Sequence, residues 1–314
     1  YKFKKLSKIK DQPILIIDDE VDHASVDTGM KALDEEDNPN EEYNPKTINR
    51  LIRMLLNMYD RKSYIGYTAT PFANVFIHPK AKTKNEGEDL FPKSFIQDLP
   101  EPSNYYGIKK LFSEEKDDIE DSFLENIDDH CIDPGDIKCS EGWIPPKHLK
   151  NHEAIFDGED KHTKSLRKAI LNFIISCSIR NLRGHIKQHK SMLIHVTKYI
   201  LVNEQVKFQV IKTMDRLRSI LLNPGTSEYN LLKEEISKEI KEFSHKENYS
   251  FEDLMNFSEG IEDVIKDISL NIKNLSGNSS DTLDYERYKN IKNRGLQTII
   301  IGGDRLSRGI TLEG

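Results

Sequence analysis

Residues 13–25 read PILIIDDEVDHAS. The apolar run Ile14 to Ile17 drives straight into four acids, Asp18, Asp19, Glu20 and Asp22. A continuous aliphatic run is the pattern of a strand buried in a parallel sheet. In open α/β sheets, ligands bind outside the carboxyl ends of such strands. Acidic oxygens placed there suit magnesium, a hard cation held by one or two carboxylates together with phosphates. Asp19 and Glu20, at the end of the run, are the candidate carboxylates for such an ion. The same acids also suit a helix N-cap or a solvated loop, so the assignment needs support from the rest of the chain.

Outward from this stretch, 26–46 is polar and acidic and reads as a loop. Residues 46–60, KTINRLIRMLLNMYD, place Ile48, Leu51, Ile52, Leu55 and Leu56 at the spacing of one helical face. A second strand is expected at 63–67, SYIGY, followed by the turn TATPFAN, where Pro71 ends regular structure. Strand, helix and strand in this order support a parallel sheet. Residues 79–163 are rich in Pro, Gly and charge, acidic over 113–138, and read as an irregular insertion or linker. Within them, LFPKSFIQDLPEPSNYYG (90–107) has the look of ordered irregular chain packed on a surface. Residues 164–184 form an amphipathic helix, with Leu166, Ile170, Phe173, Ile174 and Cys177 along one face and Gly184 placed to cap its end. A strand at 191–196 and a helix at 203–222 follow. The stretch 226–275 is charged and helical in pattern, 274–281 is a flexible loop by composition, and a strand at 298–301 opens into a glycine-rich loop. The expected fold is α/β, with two partial parallel-sheet lobes at 1–78 and 164–314. The second carries a helical insertion at about 224–296, read as either a DNA-gripping arm or a partner-docking element.

Of the 314 residues, 32% are charged and 36% hydrophobic, which suits a core with long charged elaborations. The net charge of -7 carries no whole-chain signature of nucleic-acid binding, although a local basic face is compatible with it. No apolar run approaches the length of a membrane span. The first residues, YKFKKLSKIK, are basic without the apolar core of a signal peptide. Three cysteines, Cys131, Cys139 and Cys177, suit a reducing compartment. A cytoplasmic protein without membrane contact is therefore expected. The sequence begins without Met and stops at a Gly inside an apparent motif, and so reads as a piece of a longer protein.

Two further segments bear on chemistry. In YIGYTATPFANVFI (64–77) a strand ends in Thr68, Ala69 and Thr70, about 45 residues after DEVDH with one helix between. Small hydroxyl residues carry both a donor and an acceptor and can switch partners. In IIIGGDRLSRGITLEG (299–314), Gly302 and Gly303 let backbone approach a phosphate or nucleic acid closely, and Arg308 suits a phosphate clamp.

Together these segments resemble the acidic motif, the Thr-Ala-Thr turn and the second-lobe Arg-Gly motif of helicase-like P-loop ATPases. More specifically, LIIDDEVDHAS, GYTATPFANVFI, LFPKSFIQDLPEPSNYYG, GWIPP, SMLIHV and GGDRLSRGITLEG resemble the Z-one domain family, tied to superfamily-two helicases and labelled endonuclease-associated. The resemblance spans 13–314. It implies two RecA-like lobes and an ATP-driven motor with Mg2+ and ATP. It also implies DNA as partner, in a bacterial restriction or anti-phage setting with other defence-system proteins. Carried over, Asp19 and Glu20 take the metal and catalytic positions, Asp22 and His23 the coupling positions, and Thr68 and Thr70 the linking turn. Gly303, Arg308 and Gly309 take the nucleotide or DNA contact. Thr311 stands where the pattern commonly has Asp, so a ribose contact there is not carried over. The chain has no G-x-x-x-x-G-K-[ST] loop. The resemblance places that loop before Tyr1 and the arginine-finger motif after Gly314, so these residues alone are not expected to hydrolyse ATP well.

Two alternatives stand beside the motor. One is a nucleotide- or DNA-responsive module without turnover. The other is a metal-dependent DNA endonuclease using acids of 113–160, although a charge run is usually a solvated face and no nuclease motif is present. Zinc is not expected: Cys131, Cys139, His148 and His152 fit zinc spacings only loosely. His195 is expected as a hydrogen-bonded core histidine, with a position facing a cleft between lobes as the alternative.

Overall fold

The aliphatic run forms β1 (Ile14–Asp19) in the computed structural model. The chain then turns through Glu20, whose backbone is left-handed (φ 55, ψ 44), into the short helix α1 (Val21–Ala24). The helix α2 (Thr47–Asn57) leads to β2 (Lys62–Tyr67), then α3 (Phe72–Val75) starts directly after Pro71. A small antiparallel hairpin, β3 (Lys82–Thr83) and β4 (Gly87–Glu88), completes the first unit, residues 1–107. β1 and β2 pair in parallel from Ile14 opposite Lys62 to Asp19 opposite Tyr67. Gly66 lies opposite Asp18, and a Cβ on it would stand 2.8 Å from Val21 Cγ1, so α1 folds back closely over a glycine. The structure describes residues 8–27, 45–100, 102–105, 124–158, 160–243, 248–276, 283–303, 306 and 312–314. Most of the expected loop at 26–46 lies outside them.

Two expectations for this unit are corrected. Ile48, Leu51 and Leu55 are exposed, and the buried side of α2 is Asn49, Arg53 and Leu56. The cause is the hairpin. Arg53 donates to Thr83 Oγ1 (3.0 Å) and to the Gly87 carbonyl, and lies 3.7 Å from Asp89. Asn49 Nδ2 donates to Ser25 O and to Asp89 Oδ1 (2.9 Å each). The Asn49 amide nitrogen and both terminal nitrogens of Arg53 find acceptors there, which offsets much of the cost of burying them. Second, β1 is not buried on both faces: Leu15 and Ile17 are 56% and 61% exposed. Its sheet has two strands, and only the face of Ile14, Ile16 and Asp18 is half-covered.

The second unit, residues 108–314, is built from α4 (Lys164–Leu182), β5 (Lys190–Ile194), α5 (Ile200–Leu221), α6 (Ser227–Phe243) and α7 (Phe251–Asn256). It continues through α8 (Ile261–Ser269), β6 (Ile272–Asn274), α9 (Tyr285–Lys292) and β7 (Gln297–Ile301). The three strands form one parallel sheet in the order β5-β7-β6. β7 is buried at every position. Ile299 and Ile301 join the main core with Ile170, Ile174, Val206, Met214, Leu217 and Ile265, while Ile300 packs on the opposite side with Leu275 and Leu306. Each fully buried aliphatic side chain here contributes roughly 1.5–3 kcal/mol. α4 starts where Thr163 caps the Leu166 N–H (3.2 Å) and Asp129 accepts from the Ser165 N–H and hydroxyl (2.8 and 2.6 Å).

The segments read as insertions are structural parts of the units. Residues 79–100 belong to the first unit, where the hairpin locks onto α2. Residues 124–163 belong to the second, where Trp143, Ile144 and Ala154 enter the main core and the Trp143 indole donates to Gln209 Oε1 (2.9 Å). The stretch 224–296 supplies a strand of the sheet and buries Ile236, Ile240, Leu254, Ile261 and Ile265, so it is core rather than a helical insert. Apart from the buried Glu239 and Asp267, its charges sit mainly on the outer faces of amphipathic helices, which is why composition alone resembled an appendage. Among the described residues, no helix is long and apolar enough to cross a membrane. The architecture is thus mixed α/β with small parallel sheets.

Candidate functional site

Parallel pairing puts the carboxyl ends of β1 and β2 side by side, and the acids collect there. Asp18 turns to the half-covered face, where Tyr64 donates its hydroxyl to Asp18 Oδ2 (2.6 Å). Burial, reinforced by Asp18, pushes the Tyr64 hydroxyl well above the usual tyrosine range, so the pair is a lasting hydrogen bond. Asp19 turns the other way and is exposed; its Oδ1 accepts from the Glu20 N–H (3.1 Å). Glu20 is exposed at the left-handed turn, a conformation that is uncommon for a residue with a side chain. Asp22, in the first turn of α1, receives both threonines of the Thr-Ala-Thr turn. Thr68 donates its hydroxyl to Oδ1 (2.7 Å) and Thr70 donates to Oδ2 (2.8 Å). Thr68 Oγ1 in turn accepts from the Thr70 N–H (2.9 Å), which fixes the turn. The two hydroxyls hold the Asp22 carboxyl below the usual carboxylate range, Thr68 first and Thr70 second. His23 is exposed on the same turn, and its charge acts in the same direction.

A Thr68→Val, Thr70→Val double variant keeps the shape and removes both donors. The Asp22 carboxyl is then expected to titrate at higher pH than in the parent, measured from the carboxyl carbon by NMR. With the folded value depressed, the stability tied to this bridge is present above the ordinary Asp value and lost as pH falls through the folded one. The variant is expected to lack that acid-side loss.

In the second unit, the carboxyl end of β7 opens into Gly302 and Gly303. A Cβ on Gly303 would stand 3.0 Å from Lys198 Cα, so the glycine loop runs against the β5–α5 connection. A cavity of about 340 Å³ lies there, lined chiefly by His148, His195, Thr197, Lys198 and Tyr199. His148 Nδ1 lies 2.7 Å from the Pro145 carbonyl, which only accepts, so Nδ1 carries the proton. Nε2 therefore accepts from the Thr197 hydroxyl (2.6 Å). Lys198 holds its ammonium 5.4 Å from the centre of the Tyr199 ring. His195 is exposed, not a core histidine as expected; it lines this cavity.

Gly303 is thus placed, while Arg308 and Gly309 lie outside the described residues. The four residues weighed for zinc do not come together. His148 has both ring nitrogens engaged, His152 Nε2 bonds the Trp143 carbonyl (2.8 Å), and no group of three potential metal ligands occurs among the described residues. Sequence reasoning missed Tyr64, Thr197, Lys198 and Tyr199, and weighed His148 only as a loose zinc candidate. The period of β2 places Tyr64 on the Asp18 face, but nothing in the sequence brings His148 to the end of a strand some 45 residues later.

Residues 165–314 match the Z1 domain. This is the Z-one family that the motifs resemble, and the match runs from the first turn of α4 through the glycine loop. The Z1 match therefore includes β5, β6, β7 and the cavity residues His195, Thr197, Lys198 and Tyr199 on the β5–α5 connection, and leaves the acidic strand end and the Thr-Ala-Thr turn outside it. No curated protein and no solved structure matches the chain.

Proposed function

We propose that the chain is the motor portion of an ATP-dependent, DNA-acting helicase- or translocase-like protein of bacterial restriction or anti-phage defence. The observation that supports this most is the Asp22 bridge to Thr68 and Thr70 beside the open carboxylates of Asp19 and Glu20. It divides the acids by task. Asp18 and Asp22 are committed to protein hydroxyls, whereas Asp19 and Glu20 present hard oxygen donors to solvent at a strand's carboxyl end. Such donors fit magnesium, which keeps several waters and takes one or two carboxylates beside phosphate oxygens.

Asp19 is the residue that would hold the ion. When bound with nucleotide, Mg2+ neutralises charge on the phosphate oxygens. Glu20 orients the attacking water and accepts its proton. The Thr68 and Thr70 hydroxyls exchange Asp22 for other partners as the chain moves, which links hydrolysis to motion. In the second unit, Gly303, with Arg308 and Gly309 five and six residues on in the sequence, contacts nucleotide or DNA phosphate.

The test is phosphate release by the full-length protein with Mg2+ and ATP, measured with and without duplex DNA. Hydrolysis that rises several-fold on adding DNA is the expected result. Hydrolysis indifferent to DNA overturns the motor. Nucleotide-dependent DNA binding without hydrolysis assigns the chain instead to a binding module.

A further inference from the structure

Cys131 and Cys139 lie in a tight knot of irregular chain. Ile132 N–H bonds the Glu141 carbonyl (3.1 Å), Ile144 N–H bonds the His130 carbonyl (2.9 Å), and Cys139 N–H bonds the Asp136 carbonyl (2.9 Å). The crossing closes over Gly142, with φ +124 and room for no side chain: a Cβ there would stand 2.4 Å from Cys131 Cα. Within this knot the Glu141 carbonyl accepts from both the Ile132 N–H and the Cys139 thiol, which sets Cys139 beside Cys131. Their surroundings differ. Cys131 is buried, which pushes its thiol up. Cys139 is partly open, its sulfur 3.4 Å from the Glu141 carbonyl, and the N–H groups of Asp133, then Glu141, draw its thiol below the usual value.

We propose that Cys131 and Cys139 are a peroxide-sensing thiol pair that closes to an intrachain disulfide, with Cys139 attacking and Cys131 resolving. The pairing suits the chemistry of redox sensors, in which an accessible thiolate stands next to a resolving cysteine. Cys139, as thiolate, attacks one oxygen of hydrogen peroxide. The O–O bond breaks, hydroxide leaves and takes up the proton that Cys139 released, and Cys139 becomes a sulfenic acid. The Cys131 thiol then attacks the Cys139 sulfur. The S–O bond breaks, and the oxygen departs as water with the Cys131 proton. The two sulfurs lose two electrons, and the peroxide gains them and ends as two waters. The cross-link lies in the segment that delivers Trp143 to the core and His148 to the cavity, so it stiffens one wall of that cavity.

Cys177 supplies the internal control. It is fully buried in α4, and burial pushes its thiol up to about 12. The experiment treats the whole chain with hydrogen peroxide, denatures it, alkylates it and weighs it intact. The expected product has lost two hydrogens and takes one alkyl group, on Cys177; a phosphine reductant restores three. In Cys131→Ser, dimedone is expected to trap a sulfenic acid on Cys139. In Cys139→Ser, peroxide consumption is expected to fall at least about tenfold. Three alkylatable thiols after peroxide, pairing through Cys177, or an undiminished reaction in Cys139→Ser overturns the proposal. A measurement on the unmodified chain guards against misfolded variants: the pH profile of Cys139 alkylation. A midpoint below the ordinary thiol value of about 8.5 supports the assignment, and one at or above it overturns it.

Discussion

Replacing Glu20 by Gln in the full-length protein is expected to leave ATP binding unchanged and to lower turnover roughly a hundred- to ten-thousand-fold. The substitution preserves length and shape but leaves no carboxylate to accept the proton of the attacking water. Glu20 is the right place for so large an effect because the other acids nearby are spoken for. Asp18 is bound by Tyr64, and both oxygens of Asp22 are taken by threonine hydroxyls. Among the described residues, Asp19 is the other carboxylate that stands open at the end of β1, and it faces the opposite way from Asp18 by strand alternation. Nucleotide affinity read by equilibrium binding, together with single-turnover phosphate release, separates the two roles. Unchanged turnover rejects Glu20 as the base, and a parallel loss of binding assigns it to holding the nucleotide instead.

How far the sequence could be read depended on what each side chain met. The rule that a continuous aliphatic run is a buried strand holds for QTIII at 297–301, which lies between two strands with apolar groups on both faces. The same rule applied to ILII at 14–17 overstates its burial, because that strand has one neighbour and Leu15 and Ile17 stay exposed. Helical spacing located α2, yet not its buried side. A buried arginine whose two terminal nitrogens bond the hairpin and Asn49 outweighed three exposed leucine and isoleucine side chains, and spacing carries no information about a hairpin thirty residues downstream. The meeting of Asp22 with Thr68 and Thr70 was legible, since two parallel strands joined by one helix bring their carboxyl ends together. The approach of Cys139 to Cys131 was not legible, because it depends on a chain crossing over Gly142 that no periodicity announces. Likewise β6, only three residues long, lay hidden in a stretch whose charges dominated its composition.

The largest expected stability effect belongs to Lys190, the first residue of β5. It is 1% exposed, and its ammonium donates to Asn181 Oδ1 (2.8 Å) and to the carbonyls of His185 (3.1 Å) and Gln188 (3.3 Å). It thus closes the loop between α4 and the sheet and satisfies acceptors at the carboxyl end of α4, where a cation is favoured. In Lys190→Met the aliphatic stem is largely kept and three acceptors lose their donor. Each such loss costs about 1–3 kcal/mol, and removal of a buried charge offsets part of the total, so a net cost of about 2–4 kcal/mol is expected. Denaturant unfolding at neutral pH measures it; a variant as stable as the parent would show that the three acceptors find other donors. The pH dependence gives an independent check. Burial lowers the Lys190 value to about 8, against about 10.4 in an unfolded chain. Between those values the unfolded state binds more protons than the folded one, so this group makes stability rise with pH. The cost of burying the charge is fully present below the folded value and gone above the unfolded one. Lys190→Met lacks that contribution, and the gap between parent and variant is expected to widen as pH is raised from 7 to 10. A gap that stays constant would mean that Lys190 titrates as it does in the unfolded chain.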